Sequence, residues 1–186
     1  MFAIRNNLLT GSKIFLRTLT EDDASPDYAV WLNDAEVNRY LETRSVTIDG
    51  LKTFIREKNA NPHALLLGIF WKENGLHIGN IKLEPIDLQR RSAVLGILIG
   101  EKAYWGKGVA TEAIELVTHH AFSALRLKEM TLGVIAEHTA AIRAYEKCGF
   151  VIAHREKNAI NHDGVLFDRI VMISRAPAGL AQESDA

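Results

Sequence analysis

Trp105-Gly106-Lys107-Gly108-Val109-Ala110-Thr111 lies between an apolar run, residues 93–99, and an amphipathic segment that opens near Thr111. Glycines let a backbone turn tightly, and the first N–H groups of a helix have no partner inside it and carry positive partial charge. Strand, glycine turn and helix start, in that order, make a cradle for a diphosphate. Spacing narrows the choice. A nucleoside-triphosphate loop needs G-x-x-x-x-G-K-[ST], whereas here Gly100 and Gly106 stand one residue too far apart, and Gly108 follows Lys107 in place of Ser or Thr. The dinucleotide fingerprint G-x-G-x-x-G needs a third glycine where the chain has Thr111. A turn that merely joins strand to helix would use the same residues.

Working outward, residues 64–71 form a near-continuous apolar run, short enough for a buried strand. Glu73-Asn74-Gly75 turns it into a partner strand over 76–83. Glu84-Pro85 then leads into a loop with Arg90 and Arg91, and 92–99 returns as the next strand of an antiparallel meander. Upstream, residues 1–12 read as a lead-in and 13–19 as a first strand, with Ile14 and Leu16 alternating against Phe15 and Arg17. Acidic Thr20-Glu21-Asp22-Asp23 starts a helix on which Tyr28, Trp31 and Leu32 recur at helical spacing. A short helix from Ala35, capped by Asn33 or Asp34, and a third over 49–59 follow.

Downstream of the glycine turn, Ile114, Val117, Ala121 and Leu125 keep helical spacing over 111–125. His119 and His120 are adjacent there and point about 100° apart, so they cannot share a metal well; both read as surface or boundary residues, and no metal site is expected. A strand over 129–135, a helix over 139–148 closed by Gly149, and hairpin strands over 150–153 and 165–174 complete a single domain at 13–175. Residues 176–186 read as a disordered tail.

The chain's 186 residues are 47% hydrophobic and 24% charged, with a formal net charge of -1, so no nucleic-acid field or general membrane attraction is encoded. A single cysteine, Cys148, excludes an internal disulfide, and no leader or long apolar span is evident, which points to a cytoplasmic protein.

Two strings carry a resemblance. Trp105 to Ala110 resembles the acetyl-CoA signature of the GNAT acetyltransferase superfamily, Q/R-x-x-G-x-G/A, with Gly108 and Ala110 matching and Trp105 departing from Gln or Arg. The longer Tyr-Trp-Gly-Lys-Gly-x-Ala-Thr-Glu-Ala is similar to the branch that includes ribosomal-protein N-terminal acetyltransferases. The second and more specific string, His138-Thr139-Ala140-Ala141-Ile142-Arg143-Ala144-Tyr145-Glu146-Lys147-Cys148-Gly149-Phe150, resembles N-x-x-[SA]-x-x-x-Y-E-K-x-G-F. The resemblance implies an α/β (α+β) fold, a mixed and mostly antiparallel twisted sheet of about seven strands with helices on both faces and strands splayed at the acetyl-CoA site.

It also implies an N-acetyltransferase that takes the acetyl group of acetyl-CoA to a primary amine. Leu98, Ile99 and Gly100 would face the pantetheine, and Trp105, Gly106, Lys107, Gly108, Val109, Ala110 and Thr111 the diphosphate. His138, where the family has Asn, is a further cofactor candidate, and Tyr145 would protonate the departing thiolate. Trp31, Glu36, Asn38, Arg39 and Tyr40 match the acceptor side, although Trp31 also reads as core and the others as a solvated helix face. The family's usual base position is Val94, so the base candidates become Glu84, Glu101, His77 or a water chain. Cys148 reads as structural. The acceptor is a protein N-terminus or a small amine such as a nucleotide-linked amino sugar, a catalytically idle CoA-binding module being the alternative; the protein is expected as a monomer or homodimer.

Overall fold

The computed structural model describes residues 9–39, 46–162 and 164–178. Eight strands form one sheet in the order β1-β2-β3-β4-β5-β6-β8-β7. They are β1 (Leu9–Thr10), β2 (Ile14–Thr18), β3 (Leu65–Trp71), β4 (His77–Asp87), β5 (Ser92–Ile99), β6 (Glu129–Ile135), β7 (Val151–His162) and β8 (Val165–Arg175). All neighbours run antiparallel except β5 and β6, which are parallel. The helices are α1 (Pro26–Asn33), α2 (Ile48–Ala60), α3 (Val109–Ser123) and α4 (Thr139–Lys147).

Each face of the sheet has its own core. Residues Ile81 and Leu83 of β4, Ala93 and Leu95 of β5 and Met130 and Leu132 of β6 pack with Val109, Ala113, Ile114 and Val117 of α3 and with Tyr145. On the opposite face Leu66 and Phe70 of β3 meet Tyr28 and Trp31 of α1 and Leu51 and Ile55 of α2. Each fully buried Val, Leu, Ile, Phe or Met side chain contributes about 1.5–3 kcal/mol, and β5, which reads as a continuous apolar run in the sequence, divides its residues between the two faces, with Ala93 and Leu95 in the first core and Leu98 packed against the second.

Several expectations are corrected. The helix expected from Thr20 is a 3-10 turn at Glu21–Asp23 followed by α1. Asp23 turns back to accept from the Thr20 N–H at 2.7 Å and holds both terminal nitrogens of Arg17. Pro26 then starts the true helix, and Ser25 Oγ accepts from the Tyr28 N–H at 3.1 Å. The short helix expected from Ala35 is a turn over the described residues up to 39, because Asp34 Oδ1 accepts from the N–H groups of Glu36 and Val37 and Asn38 Nδ2 reaches back to the Leu32 carbonyl. Strand β4 does not stop at Glu84-Pro85. Leu83 pairs with Leu95 and Ile86 with Ala93, so a one-residue bulge seats the proline, which has no N–H to give.

His120 is buried rather than at the surface, and its Nε2 has no hydrogen-bond partner, while His119 is exposed. Strand β7 is far longer than residues 150–153, and it is exposed on both faces along most of its length, so no apolar alternation marked it. Within the expected lead-in, Leu9 and Thr10 pair with Leu16 and Phe15, and at the start of the expected tail Ala176 N–H donates to the Lys128 carbonyl at 3.0 Å. Residues 1–8 of the lead-in and 179–186 of the tail lie outside the described residues.

The indole of Trp31 lies against Gly100, where an added Cβ would clash with ring carbons Cδ2, Cε3 and Cγ. Gly100→Ala is therefore expected to cost about 1–3 kcal/mol through overpacking, measured as a lower urea midpoint, and Trp31→Leu in the same chain should recover part of the loss.

Candidate active site

The parallel pair β5 and β6 shares three residue pairs, Ser92 with Glu129, Ala93 with Met130 and Val94 with Thr131. Beyond them the strands part. Leu95 to Ile99 pair with β4 alone, and Leu132 to Ile135 with β8 alone. The inner edges of both strands therefore face a wedge that opens toward the C-terminal end of β5, and this is where the glycine turn begins.

That turn is built as the sequence requires. Gly106 and Gly108 take left-handed backbones, with φ of 73° and 80°, conformations that cost a side-chain-bearing residue energy. Gly108 is the N-cap of α3 and brings no side-chain cap, so the first amides of the helix point out toward a ligand. A Cβ built at Gly106 meets nothing within 4 Å, which leaves open space over the turn. Trp105 Nε1–H donates to the Ile99 carbonyl at 2.8 Å and ties the turn back to β5. The wedge and the open turn fit an extended chain ending in a diphosphate.

Helix α4 brings Tyr145 toward the same place. Cys148 Sγ, one turn further along, donates to the carbonyl of Thr111 at 3.5 Å, which fastens α4 to the first turn of α3. Tyr145 is buried beside Phe150, at 6.1 Å between ring centroids, and burial together with nearby Cys148 pushes its hydroxyl up to about 12. The phenol thus keeps its proton at neutral pH. Burial raises the Cys148 thiol to about 11, so a thiolate nucleophile is not available there. His138 stands at the N-cap of α4, and burial, with Arg39 nearby, lowers its pKa.

The acceptor-side candidates separate. Trp31 is core, Asn38 is turned inward onto the Leu32 carbonyl, and Tyr40 lies outside the described residues. Glu36 is exposed and held by Lys102, whose Nζ lies 2.8 Å from Glu36 Oε2 and 2.7 Å from Asp34 Oδ2. Arg39 lies close enough to His138 for its charge to help lower the imidazole's pKa. The Gly100 and Glu101 amides both donate to the Ile78 carbonyl of β4, so the Gly100 N–H is taken up within the sheet.

The base candidates also separate. Glu101 opens the turn at Lys102–Tyr104, beyond the far end of β5. His77 is enclosed by Tyr28, Trp31 and Phe70, with Nε2 at 2.9 Å from the Gly79 carbonyl and from Asn80 Oδ1, while Nδ1 is buried without a partner. Glu84 sits in the bulge opposite Val94, on the neighbouring strand. Burial opposes its charge, but Lys58 Nζ at 2.6 Å and Lys82 Nζ at 3.4 Å outweigh this and lower its pKa. Sequence reasoning could not pair Glu84 with Val94, because the bulge that sets the register is not visible in the residues themselves.

On that face α1 and α2 cover β2 to β4, and β5 onward is barer. Val94, Thr131, Ile173 and Val151 form one cross-strand row, with Val94 37% and Val151 60% exposed. Among the described residues, no group of three His, Cys, Asp or Glu side chains is arranged to hold a metal, and no helix is long and apolar enough to cross a membrane.

A family model described as an acetyltransferase (GNAT) domain matches residues 13–151. The chain is 28% identical over 179 residues to the probable N-acetyltransferase YjcK of Bacillus subtilis, covering 89% of this chain and 95% of the relative. Among solved structures, a spermidine N-acetyltransferase from Vibrio cholerae in complex with CoA and spermine superposes with a TM-score of 0.81 at 24% identity, over 89% of this chain and 96% of that one. A ribosomal L7/L12 alpha-N-protein acetyltransferase, RimL, in complex with CoA gives 0.83 at 13% identity, over 91% and 98%.

Burial holds the His77 pKa below its ordinary value. The unfolded chain takes up that proton near pH 6.5 while the folded chain resists it, so the unfolded state binds more protons and stability is lost as the pH falls below about 6.5. The melting temperature should drop between about pH 7.5 and about pH 5.5, and His77→Phe should make the drop smaller.

Proposed function

The chain belongs to the GNAT family of N-acetyltransferases, and on that premise we propose that it acetylates the α-amine at the N-terminus of a polypeptide, with acetyl-CoA as donor. The observation that carries the donor half is the wedge between β5 and β6 ending in the left-handed turn at Gly106 and Gly108. The open face beside Val94 supports a chain end as acceptor, since it leaves room for residues behind the reacting amine. Lys58 and Lys82 beside Glu84 weigh against a polycation, which would meet like charge there.

Acetyl-CoA, when bound, supplies an activated acetyl group and a thiolate leaving group. The amides from Gly106 to Thr111 hold its diphosphate, and the edge of β5 at Leu98 and Ile99, beyond the last pair with β6, meets its pantetheine. Tyr145, buried and protonated at neutral pH, gives its proton to the departing sulfur. Glu84 stays a carboxylate and receives the proton that the amine must lose, in the place of the carboxylate absent at Val94. An α-amine of pKa about 8 is already partly neutral near pH 7.5, so this modest base is sufficient.

Thiol release measured against a panel of peptides, amino sugars and polyamines should give the highest kcat/KM for a peptide with a free N-terminus. A spermidine or amino-sugar substrate in first place overturns the acceptor assignment, and tight CoA binding with no turnover on any amine favours an idle module.

Tyr145→Phe should lower kcat about 100-fold while leaving the Kd for CoA within about twofold, and an unchanged kcat removes Tyr145 from the chemistry. Glu84→Gln should lower kcat/KM most at about pH 7 and recover as the pH rises and more amine is neutral without help.

A further inference from the structure

We infer that Lys13, just before β2, is part of the cofactor site: its ammonium supplies a fixed positive charge to the diphosphate held at the glycine turn. This rests on the donor half of the function proposed above.

Lys13 Nζ donates to the carbonyl of Lys107 at 2.8 Å and lies 3.7 Å from where a Cβ of Gly108 would be. It therefore stands against the residue that caps α3. An ammonium has three donors, and the Lys107 carbonyl takes one.

The lysine is placed there by its backbone. Lys13 N–H donates to Glu112 Oε1 at 2.9 Å, Ser12 Oγ donates to the same oxygen at 3.1 Å, and the Lys13 carbonyl accepts from Lys72 N–H at 2.9 Å. Ile14, next in the chain, is fully buried. The turn at 11–13 is thus pinned to the first turn of α3, although it lies far away in sequence.

The electrostatics explain why a second cation is needed. Glu112 is an acidic residue in the first turn of α3, which suits the helix but opposes a bound diphosphate. Lys107, the cation that the motif itself offers, has its ammonium 5.0 Å from the Tyr104 ring centroid, in a cation–π contact beside the turn. Lys13 brings an ammonium to the turn while its own N–H and Ser12 engage the Glu112 carboxylate.

The test is calorimetric binding of CoA to the full chain, with S-acetylpantetheine, which lacks the diphosphate, as the control donor. Lys13→Met should weaken CoA about tenfold at low salt, lose most of that deficit at about 0.5 M salt, and leave S-acetylpantetheine binding unchanged. Lys13→Arg should restore CoA affinity to within about threefold. A Lys13→Met chain that binds CoA as the parent does overturns the inference. So does a loss that is independent of salt and equal for S-acetylpantetheine, which would make Lys13 a brace of the turn only. Failure of the unmodified chain to bind CoA would instead overturn the function proposed above.

Discussion

Two parallel strands that pair at three positions and then part leave a row of backbone N–H and C=O groups on each inner edge. Such groups are costly to bury unpaired, so a protein keeps a half-finished ladder only where water or a ligand completes it. In this chain the ladder stops after Val94 and Thr131, and every other part of the site is arranged around that stop. Strand β5 runs on to the glycine turn, β6 runs on to the helix that carries Tyr145, and Cys148 ties the two helices together across the mouth. The candidate site is thus a consequence of one incomplete pairing, with the glycine turn and Tyr145 delivered by the elements that follow each strand.

Charge is used sparingly around this wedge. The net charge of the chain is -1, and the cations near the site are each engaged locally, Lys13 by a carbonyl, Lys102 by two carboxylates and Lys58 by Glu84. Burial rather than charge sets the protonation of the central groups. Desolvation is the largest influence on each: it raises Tyr145 and Cys148 and lowers His77 and His138, disfavouring the charged form of all four.

Much of the fold was readable because the elements that bury one face announce it by period. The meander β3 to β5, strand β6 and helices α2 to α4 stand within a few residues of their expected positions. What failed to read has specific causes. Strand β7 buries neither face and so has no period, while Asp23 and Asp34 end or replace helices by bonding side chain to backbone, which competes with a pattern that looked helical. In the site, local motifs gave the glycine turn and Tyr145, because each is one contiguous string. Lys13 against Gly108, Lys102 between Asp34 and Glu36, and Glu84 opposite Val94 are pairings across distant segments, fixed by register and by a bulge that no short window contains.

The contact of Trp31 with Gly100 joins the first helix to the residue that follows β5, with no room for even one methyl group between them. The two positions are therefore constrained in order: a smaller side chain at position 31 has to open the space before position 100 can carry one, so a path through sequence space that starts at position 100 meets a penalty that one starting at position 31 avoids.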